Sequence, residues 1–408
     1  MNTLSGRPLR ILAADDSAVM RSVLWRLFLT HAKVQSGDLP RMELCRIACD
    51  GVECLEQVRQ MNPDVLILDL EMPRLNGLEV LDRLRVENPE LPVIMCSAHT
   101  EHGARSTLDA LARGASDYVM KPSDQRDFAS AMQSLSEQLL PRIAALAKDS
   151  RSAGGKAVLD AAPDDLQKTR SGEPAAKDLS AIEVVVIGLS TGGPSALEQL
   201  LPRLPKDFPV PVLIVQHMPK LFTGALADRL DKCCSLRVQE AYNNATIRPG
   251  TVWLAPGDSH MEVAPRYALG EESRGAEGRC SRVRLHQQEP LNHCRPSVDY
   301  LFFSAARQYG AGTLALVMTG MGADGLNGAR AVRETGGVVV AQDEATSAVW
   351  GMPGRVSETG IASATLPLWG IASFLKQRVK AVRPARSEGI VNTGSITVPR
   401  RETIHGLL

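Results

Sequence analysis

The sequence predicts an α/β protein of two domains, each built on a doubly wound, mostly parallel sheet. Three observations carry this. Short apolar runs rich in Val, Ile and Leu alternate with helical patterns in both halves of the chain, as strands buried on both faces do. In both halves these runs end on residues that carry chemistry, as expected where the C-terminal strand ends share one crevice. Between the halves, Lys148 to Ser180 is rich in Ala, Gly, Ser, Asp and Lys with almost no aliphatic periodicity, which reads as a flexible linker. The expected organisation is a domain over 1–140, a linker over 141–181, a second domain over 182–383 and a polar tail over 384–408.

Bulk properties narrow the function. At 408 residues the chain exceeds one ordinary core. Its 46 Lys and Arg balance 46 Asp and Glu, so no global field points to nucleic acid or a charged membrane. Eight Cys are scattered without a C-x-x-C pair, and Cys233 and Cys234 are adjacent, which suits neither a structural disulfide nor a zinc knuckle. They read as reduced thiols of a cytosolic protein. No apolar run reaches the length of a membrane span, and the polar N-terminus lacks a signal-peptide core, so a soluble, cytoplasmic chain is expected.

In the first domain, Leu9–Ala14 is a short strand ending in Asp15 and Asp16, and Ser17 is placed to cap a helix from Ala18 to Leu29. Met42–Ala48 is a second strand, followed by a helix from Gly51 to Met61. Asp64–Asp69 is a third with an acid at its end. Pro92–Ser97 ends in a hydroxyl, and Ser116–Lys121 in a lysine before Pro122. The last helix runs from Gln125 to Leu140, with Pro141 placed to kink or end it. Asp15, Asp16, Asp69, Ser97 and Lys121 should therefore converge. Three crowded carboxylates repel unless a hard cation such as Mg²⁺ binds among them, leaving a position for a phosphoryl oxygen. The site suits an acyl phosphate on Asp69. A single such acid is usually only a helix cap; five matched strand ends argue against that.

The second domain is organised around Glu183–Pro194. Four apolar residues run into Gly188, and Gly188-Leu-Ser190-Thr-Gly192 fits the G-x-S-x-G elbow that displays a serine between strand and helix. Pro194 opens the helix, whose N–H groups lie near enough to stabilise an oxyanion. Alone, the pattern also describes a tight connection. Val210–His217 is a second strand, and His217 repeats the strand-end position of Ser190, which singles it out as general base over His260, His286 and His293. Thr313–Thr319 runs into Gly320-Met-Gly-Ala-Asp324-Gly. Asp324 can accept the other ring N–H of His217, although capping a helix from Ala329 to Glu334 would also favour Asp. Met321, flanked by Gly320 and Gly322, offers its N–H to an oxyanion. The order Ser, His, Asp differs from that of the α/β-hydrolases.

Two resemblances follow from these residues. Asp15-Asp16, Asp69-Leu-Glu-Met-Pro-Arg-Leu-Asn-Gly77, Ser97-Ala98 and Lys121-Pro122 resemble the signature of a two-component receiver, a flavodoxin-like domain. The resemblance implies phosphorylation of Asp69 by a histidine kinase, Asp16 as direct and Asp15 as water-mediated Mg²⁺ ligand, and Ser97 and Tyr118 at the switch positions. His31–Pro40 is longer than the usual link and should be a surface loop. Gly188-Leu-Ser-Thr-Gly-Gly-Pro194, Gln216-His-Met-Pro219, Leu254-Ala-Pro-Gly257, Arg295-Pro-Ser-Val-Asp299, Thr319–Gly325, Ala341–Ala345 and Gly351-Met-Pro353 resemble, in order, the chemotaxis protein-glutamate methylesterases. That resemblance implies a Ser190, His217, Asp324 triad, an oxyanion position at Met321, and Thr191 beside the nucleophile. It further implies a γ-glutamyl methyl ester of a chemoreceptor as substrate, with deamidation of receptor glutamines in some members. Ester hydrolysis needs no cofactor. The domain order suggests that the receiver covers the Ser190 crevice until Asp69 is phosphorylated.

The charged stretch Arg266–His286 and the tail after Arg383 depart from the family's pattern without touching the triad. A DNA-binding output is disfavoured by the zero net charge and the lack of a basic helix-turn-helix. A dinucleotide site is disfavoured because Ser190 holds the second Gly position of G-x-G-x-x-G. A scaffold without chemistry is disfavoured because all three triad residues are present.

Overall fold

The computed structural model describes residues 7–33, 39–98, 100–122, 128–152, 181–268 and 279–380. Its first domain is a parallel five-stranded sheet in the order β2-β1-β3-β4-β5. The strands are β1 (Leu9–Ala14), β2 (Met42–Ala48), β3 (Val65–Asp69), β4 (Val93–Ser97) and β5 (Asp117–Met120). Helices α1 (Ala18–Lys33), α2 (Gly51–Met61), α3 (Gly77–Glu87), α4 (Glu101–Ala112) and α5 (Phe128–Ser152) connect and flank them. Local chemistry sets the helix starts. Asp50 accepts from the N–H groups of Val52 and Glu53 at the head of α2. Asn76 and Glu79 form a reciprocal cap on α3, and Thr100 caps α4.

The last of these helices departs from the expected boundary. It runs through Pro141 to Ser152, so residues 141–152 are helix and not linker. A mid-helix proline costs about 3 kcal/mol. Leu139, Leu140, Ile143, Ala144, Leu146 and Ala147 on both sides of it are buried, and that burial outweighs the lost hydrogen bond. The rest of the expected linker, residues 153–180, lies outside the described residues, as do 34–38 of the expected surface loop and the whole tail.

The second domain is a seven-stranded sheet in the order β14-β13-β12-β6-β7-β9-β8, and every pairing in it is parallel. Its strands are β6 (Val184–Leu189), β7 (Val212–Gln216), β8 (Arg237–Glu240), β9 (Thr251–Leu254), β12 (Thr313–Val317), β13 (Val338–Gln342) and β14 (Ala364–Leu366). Helices α6 (Gly193–Leu200), α7 (Lys220–Cys233), α8 (Val298–Tyr309), α9 (Leu326–Glu334), α10 (Met352–Glu358) and α11 (Leu368–Lys380) complete it. The chain leaves β6 toward β7 on one side and returns to β12 on the other. The strand order therefore switches between β6 and β12, where such sheets open a crevice at their C-terminal ends. An antiparallel pair, β10 (His260–Ala268) and β11 (Arg279–His286), stands apart from the main sheet. Within the stretch Arg266–His286, residues 266–268 end β10 and residues 279–286 form β11, and residues 269–278 lie outside the described residues.

The two domains pack together through α4, β5 and α5 of the first. Tyr118 stacks on Phe222 of α7 with ring centroids 4.8 Å apart and planes 11° from parallel. Ser195 Oγ donates to the carbonyl of Leu111 at 3.1 Å. Arg229 of α7 bridges Asp109 of α4 and Glu198 of α6. Val349 and Met321 pack against the apolar cluster that buries α5.

Candidate active site

Ser190 follows β6 directly. Its N–H donates to Thr319 O at 3.0 Å and its carbonyl accepts from Gly193 N at 2.9 Å, which draws the chain into a tight turn. Gly192 closes the turn with φ 76°, a conformation that favours glycine. Gln216 Nε2 also donates to Ser190 O at 2.8 Å, so the end of β7 braces the same turn. Gly320 approaches Ser190 closely: a Cβ there would lie 2.7 Å from Ser190 Cβ.

His217 follows β7, with its N–H on Leu189 O at 3.1 Å. Its Nε2 lies 2.8 Å from Asp324 Oδ2. Asp324 is buried, and does not cap the next helix; Gly325 holds that position. Its carboxylate also accepts from Asn292 Nδ2 at 2.8 Å, Ser297 Oγ at 2.8 Å and the Val298 N–H at 2.7 Å. Burial pushes the Asp324 pKa up, but the hydrogen bonds and charge of His217, with Asn292 and Val298, hold it below the usual carboxylate value. Burial likewise opposes protonation of His217, and the Asp324 carboxylate and Cys294 outweigh it and raise the imidazole. In the neutral ring, with Nε2 donating to Asp324, Nδ1 carries the free lone pair. Cys294 Sγ lies 3.7 Å from Nδ1. Among the described residues no hydrogen bond joins Ser190 Oγ to His217. Apo catalytic contacts are often long.

The other expected residues divide. Met321 N–H has no hydrogen-bond partner among the described residues, and the φ of 91° at Gly322 turns the backbone into open space. Thr191 points away from the crevice: its Oγ1 donates to Asp117 Oδ2 at 2.8 Å, and Arg142 Nε holds that oxygen at 3.0 Å. Sequence reasoning assigned no role to Gln216, Asn292, Cys294, Ser297, Asp117 or Arg142. The first four lie in or beside quoted motifs, but which atom each would reach is set by the fold.

The first domain brings its predicted residues together. Lys121 Nζ lies 3.0 Å from Asp15 Oδ2 and 2.7 Å from Asp69 Oδ2. Oxygens of Asp15, Asp16 and Asp69 all lie within 4.8 Å of one another. The two oxygens facing Lys121 are buried and accept no aligned hydrogen bond, so the hard-oxygen set fits Mg²⁺. Burial, then the Asp15 charge, push Asp69 up to about 6 against the pull of Lys121. Ser97 Oγ donates to Gly103 O at 3.2 Å, and Tyr118 is buried under Phe222.

Fold and sites together define a response regulator whose output is an α/β enzyme domain. The family model for the response regulator receiver domain matches residues 11–133, and that for CheB methylesterase matches residues 185–375. The chain belongs to the CheB methylesterase family. It is 42% identical to a protein-glutamate methylesterase/protein-glutamine glutaminase of Nocardioides sp., over 92% of this chain and 97% of that one. A protein of the same name from Trichodesmium erythraeum is 40% identical over 91% of this chain and 99% of its own. The crystal structure of the Thermotoga maritima CheB methylesterase catalytic domain is 40% identical, covers 50% of this chain and 100% of its own, and superposes with a TM-score of 0.44. Among the described residues no helix is long and apolar enough to cross a membrane.

Proposed function

We propose that the chain hydrolyses γ-glutamyl methyl esters of chemoreceptors and releases methanol, under control of its receiver. The His217–Asp324 pair beside the Ser190 turn carries this reading. His217 Nδ1 takes the Ser190 proton as Ser190 Oγ attacks the ester carbonyl, and Asp324 stabilises the imidazolium that forms. In this reading the Met321 N–H donates to the developing oxyanion; one such donor contributes a factor of about 10²–10³. Methanol leaves with the proton from His217. Water then attacks the glutamyl-enzyme with the same base. A glutamine side chain would follow the same path with ammonia leaving, which accords with the second name of the relatives. In the receiver, Asp15, Asp16 and Asp69 would hold Mg²⁺, which neutralises charge on an incoming phosphoryl group. Lys121 offers a further cation, and Asp69 is the acceptor from a histidine kinase.

The test is methanol release from methylated receptor membranes by wild type and Ser190→Ala, with and without an acyl-phosphate donor. Release that needs Ser190 and rises with the donor supports both halves. Release that needs Ser190 but ignores the donor keeps the esterase and removes the switch. Release that survives Ser190→Ala overturns the assignment of the nucleophile.

A further inference from the structure

Cys294 has no part in the proposed ester chemistry, yet its sulfur faces the nitrogen that must take the Ser190 proton. A ligand atom from each of Cys294, His217 and Asp324 lies within 4.8 Å of the others. The 3.7 Å from Sγ to Nδ1 is close to the separation of about 3.6 Å that a tetrahedral zinc ion imposes on a thiolate and an imidazole it holds together. A metal-bound imidazole ordinarily donates its other N–H to a carboxylate, which fixes the ring. Asp324 already accepts from Nε2 at 2.8 Å, and is itself held by Asn292 and Ser297. The loop Leu291–Cys294, closed on itself by backbone hydrogen bonds, presents the thiol to a ring oriented in advance.

We propose that Cys294 and His217 Nδ1 form an inhibitory site for a thiophilic divalent cation such as Zn²⁺, with Asp324 orienting the imidazole. Binding releases the thiol proton to solvent and, where the ring is charged, the Nδ1 proton of His217 as well. The ion then occupies the lone pair that Ser190 needs, and water or the Ser190 hydroxyl fills its remaining positions. Binding stands without the esterase reading; only the loss of hydrolysis rests on it, so the two are read separately.

The full chain is stripped of metal and held in excess Mg²⁺ so that the receiver carboxylates are occupied. It is titrated with Co²⁺ as a spectroscopic probe and with Zn²⁺. Wild type should show a thiolate-to-cobalt charge-transfer band that Cys294→Ser and His217→Asn lack. Zn²⁺ should protect Cys294 of wild type from alkylation, read by peptide mass spectrometry, while the half-exposed Cys45, which lies in no such cluster, still reacts. Methanol release by wild type should fall with Zn²⁺ and return with chelator. Cys294→Ser, measured against its own metal-free rate, should need more Zn²⁺ for half-inhibition by over the roughly tenfold that losing an outer partner costs. Unprotected Cys294 in wild type, or a band unchanged in Cys294→Ser, would overturn the site. Protection and band without inhibition would keep the site and overturn its effect on hydrolysis.

Discussion

Thr191, the neighbour of Ser190, donates its hydroxyl to Asp117 of the receiver at 2.8 Å, and Arg142 clamps the same carboxylate oxygen. Asp117 precedes Tyr118, which stacks on Phe222. Two adjacent residues of β5 therefore hold the second domain: Asp117 grips the loop that carries Ser190, and Tyr118 packs on α7. A hydrogen bond to a charged group contributes about 1.5–3 kcal/mol. Asp117→Ala should shift the packed arrangement toward release by on the order of tenfold or more. The expected outcome is faster methanol release without any phosphodonor and a smaller further gain when the donor is added. An unchanged basal rate would mean that the contact does not restrain the site.

Asp324 accepts five hydrogen bonds: Nδ2 of Asn292, Oγ of Ser297 and Nε2 of His217 supply three, and the other two come from the Val298 and Asp299 N–H groups, which cannot turn into acceptors. Asp324→Asn would set an amide N–H₂ against that row or force the imidazole into its other tautomer. For the proposed triad the expected loss is on the order of 10⁴ in kcat. KM should move far less, because the proposed role of the carboxylate is to orient His217 and not to bind substrate. Initial rates at several ester concentrations separate the two, and near-ultraviolet circular dichroism checks that the fold persists.

The sheets were legible because buried parallel strands read as apolar runs. β1, β2 and α2 fall on the expected residues, and the strand-end rule brought Asp15, Asp69 and Lys121 together, and paired His217 with Asp324. What stayed hidden depends on geometry that periodicity does not encode. Asn292 reaches Asp324 from a loop with φ 54°, across 32 residues, and nothing in its local pattern marks it as a partner. Thr191 sits beside Ser190 in sequence, but its hydroxyl is taken up by Asp117 of the receiver. Pro141 is a boundary signal that tertiary burial overrode.

Gly320 tests how closely the elbow is built. A Cβ at this position would meet Ser190 Cβ at 2.7 Å, Ser190 N at 2.9 Å and Met352 Sδ at 2.6 Å. The methionine tip can give way, whereas the Ser190 backbone is held by Thr319 O and Gln216. Overpacking of this size costs about 1–3 kcal/mol. A shift of even 1 Å in the nucleophile costs roughly 10² in rate. Gly320→Ala should therefore stay folded, with a lowered unfolding midpoint, and lose on the order of 10² in kcat. Full activity would show that the elbow relaxes without moving Ser190.

The receiver carboxylates give a stability signature that runs opposite to ordinary acid denaturation. Burial, with the Asp15 charge behind it, raises Asp69 from 3.8 to about 6. Between those values the folded chain binds more protons than the unfolded one, so this group's contribution falls as pH rises. It is present below pH about 4 and lost by the time pH passes the folded value of about 6. At neutral pH the ionised Asp69 then strains the site, by at most the roughly 3 kcal/mol that the whole rise to about 6 represents, with the pull of Lys121 already included. Asp69→Asn removes that charge. In calorimetric scans of the full chain without Mg²⁺, the variant should unfold a few degrees above wild type at pH 7. The gap should close by pH 4. Adding Mg²⁺ at pH 7 should narrow it too, since an ion held by Asp15, Asp16 and Asp69 stabilises only the chain with all three carboxylates. A gap that is the same at both pH values would show that Asp69 carries no such charge strain.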